Sequence, residues 1–106
     1  MEHDKRKKLG KLFYVQKYTK TNTFKFVATI EKRSNDRKKI LLVDVYNLDK
    51  VITNHVWLNN EDAQVFKGIK KTTICSFYAE VVKYTRKDGS MDFGLTNVKN
   101  LKILKE

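Results

Sequence analysis

The chain has 106 residues, 41% of them hydrophobic and 11% aromatic, which is enough apolar material for the core of one small domain. Its 23 Lys and Arg residues against 12 Asp and Glu residues give a formal net charge of +11, and this balance favours a polyanionic partner, most often nucleic acid. A single cysteine, Cys75, excludes an internal disulfide and a multi-cysteine zinc site. The longest aliphatic run, Ile40 to Val43, is far too short to span a membrane, and the N-terminal residues lack the apolar segment of a signal peptide. We therefore expect a soluble, cytoplasmic protein.

Residues 1–8 are nearly all charged, and we expect them to form a mobile basic arm that precedes an OB-like domain at 9–106. The next segment, Leu9 to Tyr18, is apolar enough to pack against a core. Its spacing fits a short helix as well as a strand, so the sequence leaves its type open.

Three strands are predicted next. Alternation of apolar and polar side chains indicates a strand from Thr23, whose core face consists of Phe24, Phe26, Ala28 and Ile30. A basic segment at 32–39, with turn-forming polar side chains at 34–36, leads into a second strand from Ile40 to Tyr46. After another turn, a third strand runs from Val51 to Leu58.

A short helix and two further strands complete the chain. Asn60 is predicted to cap the helix, which has an acidic first turn and ends at Gly68. A long strand follows from Thr72 to Tyr84. Asp88-Gly89 is a hairpin signal between that strand and the last one, which starts at Met91.

Three strands, a short helix and two strands follow one another in the order of an OB-fold. We therefore predict a mainly β protein, an OB-like five-stranded Greek-key barrel with one short helix and a basic N-terminal arm. Other small barrels and β-rich α+β folds share this element order and remain alternatives.

The loops that join strands one to two and four to five flank the ligand groove of an OB-fold, and in this sequence both are basic. We expect the two loop tips on the same side of the barrel, where they would follow a phosphate backbone. The predicted phosphate contacts are Lys32, Arg33, Arg37, Lys38, Lys39, Lys83, Arg86 and Lys87. Base stacking needs exposed aromatic side chains, and we assign it to Tyr84, Tyr78 and Tyr46. Trp57 is a weaker candidate, because a lone Trp more often belongs to a core.

The triplet Asp92-Phe93-Gly94 is the motif that carries a metal-binding aspartate in protein kinases. No glycine-rich phosphate loop and no His-Arg-Asp motif accompany it, and the chain is too short for a kinase. We interpret the triplet as the start of a strand in which Phe93 and Leu95 face the core and Gly94 allows a bulge.

Other catalytic or metal-binding sets are equally weak. His3 and His55 are not at metal-ligand spacing, and Cys75 has no basic partner nearby in sequence. Asp44 and Glu80 are carboxylates within strands, without a third group to suggest catalysis. We therefore predict a protein that is not an enzyme and that uses no metal or cofactor.

Three segments carry a resemblance: "NHVWL" from Asn54, "FKGIKKTTICSFYAEVVKYTRKDG" from Phe66 and "DFGLTNVKNL" from Asp92. A strand ending in His-x-Trp (His55 and Trp57) is followed by a long strand with the pattern F-x-A-x-V-x-x-Y. Over residues 41–104 the chain resembles small OB-like accessory proteins of Gram-positive mobile elements, in particular the small partners of the polymerase-like primases of staphylococcal chromosome cassettes. The resemblance implies a DNA replication accessory protein that binds a primase or polymerase subunit and helps it hold single-stranded template.

The sequence as a whole predicts a non-enzymatic protein that binds single-stranded DNA, with RNA as the alternative ligand, as an accessory subunit of a replication or priming complex. The main rival is a protein-interaction module that docks onto a nucleic-acid enzyme through apolar outer faces containing Ile74, Val82 and Ile40. An inhibitor of such an enzyme would use the same surfaces.

Overall fold

A computed structural model describes residues 7–20, 23–36 and 38–106 of the chain. Its elements are α1 (Lys7–Thr19), β1 (Phe24–Arg33), β2 (Lys39–Asn47), β3 (Lys50–Asn59), α2 (Asn60–Gln64), β4 (Ile74–Thr85) and β5 (Met91–Lys105). The protein is mainly β, as predicted. Neither helix in the described part of the chain has the length and apolar character that a membrane crossing needs.

The five strands form one antiparallel sheet with the order β3-β2-β1-β4-β5. Its two edge strands, β3 and β5, contact each other without pairing, so the sheet curls strongly but does not close into a barrel. The predicted five-stranded barrel is therefore not closed in the described residues. The curl brings the two edges of the sheet together around one core.

The core is built from the apolar face of each strand. The predicted inner face of β1 is confirmed: Phe26, Ala28 and Ile30 are buried, while the residues between them are half-buried. Phe77 from β4 packs against two other rings, with centroid distances of 5.9 Å to Phe26 and 5.7 Å to Phe66. These aromatic contacts join the sheet to the segment that follows α2.

The segment whose type the sequence left open is the helix α1. Leu9 is fully buried, and Phe13 packs on Phe93 of β5 with ring centroids 5.5 Å apart, so the helix covers one end of the curled sheet. The helix begins at Lys7, within the range expected to be an arm, and the Lys8 ammonium donates to the Val51 carbonyl at 3.1 Å. Residues 1–6 of that arm lie outside the described residues.

The helix α2 is shorter than predicted. It ends at Gln64, and turns continue the chain to Gly68, where φ is +83°. Asn59, not Asn60, occupies the N-cap position; its backbone is extended (φ −111°, ψ 153°) and its side chain makes no capping hydrogen bond. The backbone N–H of Asn60 donates to the Lys38 carbonyl at 2.7 Å. The predicted cap was therefore wrong by one residue.

Candidate nucleic-acid interface

An open cleft of about 580 Å³ lies where β3 and β5 approach each other. It runs over the outer face of β4 and β5 to the start of α2. Its walls are formed by Lys39, Val56, Trp57, Asn59, Asn60, Glu61, Asp62, Val82, Tyr84, Gly94, Leu95 and Thr96. The cleft exists because the sheet does not close.

Two exposed aromatic side chains line this cleft. Trp57 is 38% exposed, because its strand neighbours Val56 and Leu58 take the buried positions and alternation turns the indole outward. Tyr84 is 40% exposed and belongs to the outer face of β4. An added Cβ at Gly94 would lie 3.4 Å from the Tyr84 ring, so the missing side chain lets the phenol lie close against β5.

A charged pair fixes the hairpin that carries Tyr84. Asp92 is only 4% exposed, and its carboxylate accepts from the Arg86 guanidinium through Nε at 3.0 Å and through a second nitrogen. The Tyr84 hydroxyl lies 3.4 Å from the same carboxylate oxygen. The hydrogen bond and the charge of Asp92 raise the pKa of Arg86. Arg86, a predicted phosphate contact, is thus paired within the hairpin.

The turn of that hairpin has the predicted Asp-Gly chemistry. Gly89 adopts a φ of +90°, and its N–H donates to the Arg86 carbonyl at 2.9 Å. The Asp88 carboxylate accepts from the Ser90 hydroxyl and backbone N–H, and these bonds lower the pKa of Asp88. Lys83 and Lys87, the other predicted phosphate contacts here, are exposed.

The first basic loop is held by its own polar side chains. The Ser34 hydroxyl donates to the Asp36 carboxylate at 2.6 Å, and the backbone N–H of Lys38 donates to the same oxygen at 3.0 Å. These bonds lower the pKa of Asp36, the Ser34 bond most. The lysines of this loop are therefore carried by a turn that its own hydrogen bonds stabilise.

The predicted cations of the first loop differ in accessibility. Lys32, Lys38 and Lys39 are exposed. Arg33 is half-buried and donates to the Phe66 carbonyl, so it ties the loop to the segment after α2. Arg37 lies outside the described residues. Among the described cations of the first loop, Lys39 is the one that lines the cleft.

The two basic tips do not adjoin each other along the sheet. Phe24 pairs with Ala79 and Thr29 pairs with Ile74, so the end of β1 and the end of β4 lie at opposite ends of their shared ladder. The two basic loop tips were expected on the same side of the barrel. That expectation is wrong, because the β1–β4 ladder holds them at opposite ends. The curl of the sheet instead brings one residue from each region, Lys39 and Tyr84, to the same cleft.

The other predicted stacking residues lie away from the cleft. Tyr46 is 37% exposed on β2 and pairs with Val27 of β1. Tyr78 is half-buried between its cross-strand partners Lys25 and Lys99. The structure thus separates the three predicted tyrosines into one cleft residue and two residues on the outer face of the sheet.

Trp57 is the site residue that sequence reasoning undervalued. The signal was present, because alternation places Trp57 on the opposite face from its buried neighbours Val56 and Leu58. A general preference of Trp for cores outweighed that local pattern. Its proximity to Tyr84 depends on the approach of two strands that are not paired, which no local pattern encodes.

Acidic groups mark one end of the cleft. Asp62 of α2 accepts from the Thr96 hydroxyl at 3.2 Å and from the Val98 backbone N–H at 2.9 Å, so it ties α2 to β5. Glu61 beside it is exposed. Lys39 lies at this same end, because it pairs with Asn59 immediately before α2, so a lysine and two carboxylates share this end of the cleft.

No group of three or more His, Cys, Asp or Glu side chains that could hold a metal ion occurs among the described residues. Cys75 is fully buried, and burial raises the pKa of its thiol to about 11. Asp92 of the kinase-like triplet serves the hairpin, where its other oxygen accepts from the Phe93 N–H at 2.8 Å.

The apolar outer faces expected of a protein-docking module differ from those predicted. Ile40 is fully buried, and Ile74 and Val82 are half-buried. The exposed apolar residues of α1 are instead Tyr14, Val15 and Tyr18, of which Tyr18 is 89% exposed.

Comparison with known proteins gives no relative: no family model, no curated protein and no solved structure matches the chain.

Proposed function

We propose that this chain is an OB-like protein that binds single-stranded nucleic acid without strong sequence preference, as a non-enzymatic accessory subunit of a DNA replication or priming complex. The observation that carries the proposal is the cleft between β3 and β5, which is lined by Trp57, Tyr84 and Lys39. DNA is the proposed ligand and RNA the alternative.

The OB-like assignment is supported by the sheet order and by the position of α2. The order β3-β2-β1-β4-β5, with β3 and β5 in contact, supports the proposal of a partly open five-stranded Greek-key barrel. The helix α2 falls between β3 and β4, as in the element order predicted from the sequence.

The cleft suits unpaired bases because stacking requires an accessible base face. Aromatic stacking contributes about 1–3 kcal/mol per base and tolerates any base, since every base has a π-face. Bases in a duplex already stack on one another, so two aromatic walls favour a single strand. Lys39 and the exposed Lys83 and Lys87 would pair with phosphates and release counterions.

The accessory role rests on the resemblance over residues 41–104. A primase or polymerase that works on single-stranded template gains from a subunit that holds the strand non-specifically. Because the resemblance implies a binding role and carries over no catalytic residue, we propose binding rather than catalysis.

Fluorescence anisotropy with labelled oligothymidylate and with a duplex of equal length tests the proposal. We expect tighter binding of the single strand, and Trp57→Ala and Tyr84→Ala should each weaken it by roughly 5- to 150-fold, as expected for the loss of about 1–3 kcal/mol of stacking. Tyr18→Ala removes the same side chain as Tyr84→Ala from an exposed site on α1 and should leave the affinity unchanged. Equal effects of all three substitutions, or equal affinity for both ligands, would contradict the proposal.

A salt series separates the electrostatic contribution. Lys39→Gln should reduce the slope of log K against log salt by about 0.7, the amount expected for one single-strand phosphate contact. Lys50→Gln is the matched control, because Lys50 is an exposed lysine of β3 that does not line the cleft. The same slope change in both variants would mean that net charge, not the cleft, determines binding.

A second candidate function is a protein-interaction module, favoured by the exposed Tyr14, Val15 and Tyr18 of α1. In that case wild-type protein shows no preference for single strands. A photo-crosslinking residue at position 18 should then react with a purified primase or polymerase subunit, whereas one at position 57 should not.

A further inference from the structure

Three lysines of β5 recur every third residue, at Lys99, Lys102 and Lys105. In a regular strand, side chains alternate between the two faces, so a spacing of three would place Lys102 opposite to the other two. The structure has a different arrangement.

The pairing of β5 with β4 brings the three lysines to one face. Their cross-strand partners are Tyr78, Ser76 and Ile74, which recur every second residue and therefore share a face of β4. Directly paired residues lie on the same side of a sheet, so the lysines share that side as well. It is the outer face, since the intervening residues Cys75 and Phe77 belong to the core.

Irregularities in β5 produce this alignment. The register shifts between Tyr78 and Ser76 and again between Cys75 and Ile74, and each shift adds one residue to β5. Asn100, at the first shift, has a φ of +57°, a conformation that Asn tolerates better than most residues. Each extra residue turns the following lysine back to the outer face.

A fourth lysine and a tyrosine belong to the same surface. Lys25 of β1 pairs with Tyr78 from the other side, so the half-buried ring lies between Lys25 and Lys99. The carboxylate on this face of β4 is Glu80, which accepts from the Asn97 side-chain amide at 2.8 Å. We name Lys25, Lys99, Lys102 and Lys105 with Tyr78 the lysine column.

The lysine column continues the surface of the proposed cleft. Tyr84, Val82, Glu80, Tyr78, Ser76 and Ile74 alternate with the core residues of β4, and all of them except Ser76, which is 3% exposed, are half-buried or exposed. From Tyr84 to Ile74 the strand rises by about 33 Å at the usual rise per residue. A stacked single strand of about ten nucleotides covers the same length at 3.4 Å per nucleotide.

We propose that the lysine column binds the phosphate backbone of single-stranded nucleic acid that extends beyond the cleft, so that the strand runs from Trp57 and Tyr84 along β5 towards Lys105. This inference rests on the proposed function. Lysines on an edge strand also prevent edge-to-edge pairing, but that role does not require them to share a face. Binding a single phosphate backbone does require the lysines to share a face, and the bulges in β5 bring them to one face.

The test compares two triple variants on two oligothymidylates, one of about 4 nucleotides, which fits the cleft, and one of about 16, which reaches the column. The first variant is Lys99→Gln/Lys102→Gln/Lys105→Gln. The second, Lys67→Gln/Lys70→Gln/Lys71→Gln, removes the same charge from exposed lysines between α2 and β4. Circular dichroism of both variants verifies that they are folded.

We expect the column variant to bind the long oligonucleotide at least 10-fold more weakly than wild type, with the salt slope reduced by about 2, and to bind the short one almost normally. The control variant should have a clearly smaller effect on the long oligonucleotide. Equal losses in the two variants overturn the proposed role of the lysine column. The cleft proposal still stands in that case if Trp57→Ala weakens binding of the short oligonucleotide. If wild-type protein binds neither oligonucleotide, the proposed function fails and the column fails with it.

Discussion

Gln16 closes a gap in the hydrogen bonding of the sheet, and its replacement by Ala should destabilise the protein. The side-chain amide of Gln16 donates to the Val81 carbonyl at 3.0 Å and accepts from the Val81 N–H at 3.0 Å. β1 starts at Phe24, which pairs with Ala79, so its ladder with β4 ends before Val81. The glutamine takes the place of the missing strand residue.

The magnitude follows from the two bonds. Each contributes about 0.5–1.5 kcal/mol net, and a buried backbone group left without a partner costs about 1–3 kcal/mol. Val81 is 2% exposed but Gln16 is half-buried. Water can therefore replace part of the hydrogen bonding to Val81 that the Gln16→Ala substitution removes. We expect Gln16→Ala to lower the free energy of unfolding by about 2 kcal/mol, which lowers Tm by roughly 10 °C for a domain of this size.

Urea denaturation followed by circular dichroism measures this loss. Gln64→Ala is the control, because it removes the same group from an exposed position in α2 and should change stability by less than about 0.5 kcal/mol. Gln16→Glu keeps an acceptor for the Val81 N–H but places a carboxylate oxygen against the carbonyl, so its deficit relative to wild type should shrink when acid protonates it. Equal stability of the Gln16→Ala and Gln64→Ala variants would refute the bridging role.

Two further predictions concern packing and burial. Gly10→Ala places a Cβ 2.8 Å from Cε2 of Phe93, and the overpacking should outweigh the gain in helix propensity and reduce stability by about 1 kcal/mol in thermal denaturation. In a Phe93→Leu background the same substitution should become neutral or stabilising, and a stabilising effect in wild type would contradict the clash. Cys75 should react with a thiol reagent only after unfolding, and rapid labelling of the native protein would contradict its burial. Because burial raises the pKa of the Cys75 thiol from its ordinary value of 9.0 to about 11, the neutral thiol's contribution to stability is complete below pH 9 and is lost as the pH rises towards 11. Cys75→Ala should lose less stability than wild type over that range.

Strand patterns were predictable from the sequence because alternation and turn chemistry are local. The inner face of β1, the Asp88-Gly89 turn and the long strand through Phe77 follow from side chains at fixed spacing. Segments without a strong local signal were harder. The type of α1 depended on the end of the sheet that Leu9 covers, and two adjacent asparagines left the N-cap of α2 uncertain by one residue.

The sequence by itself determined the five strands, the basic surface and the absence of a recognisable catalytic motif, since period, composition and charge are properties of the chain. Only the tertiary structure decided how the edges meet. The cleft joins Trp57 to Tyr84 across two unpaired strands, and the alignment of the β5 lysines depends on register shifts against β4. Both features arise from the curl and register of the sheet, which result from packing of the whole core and not from any local run of residues.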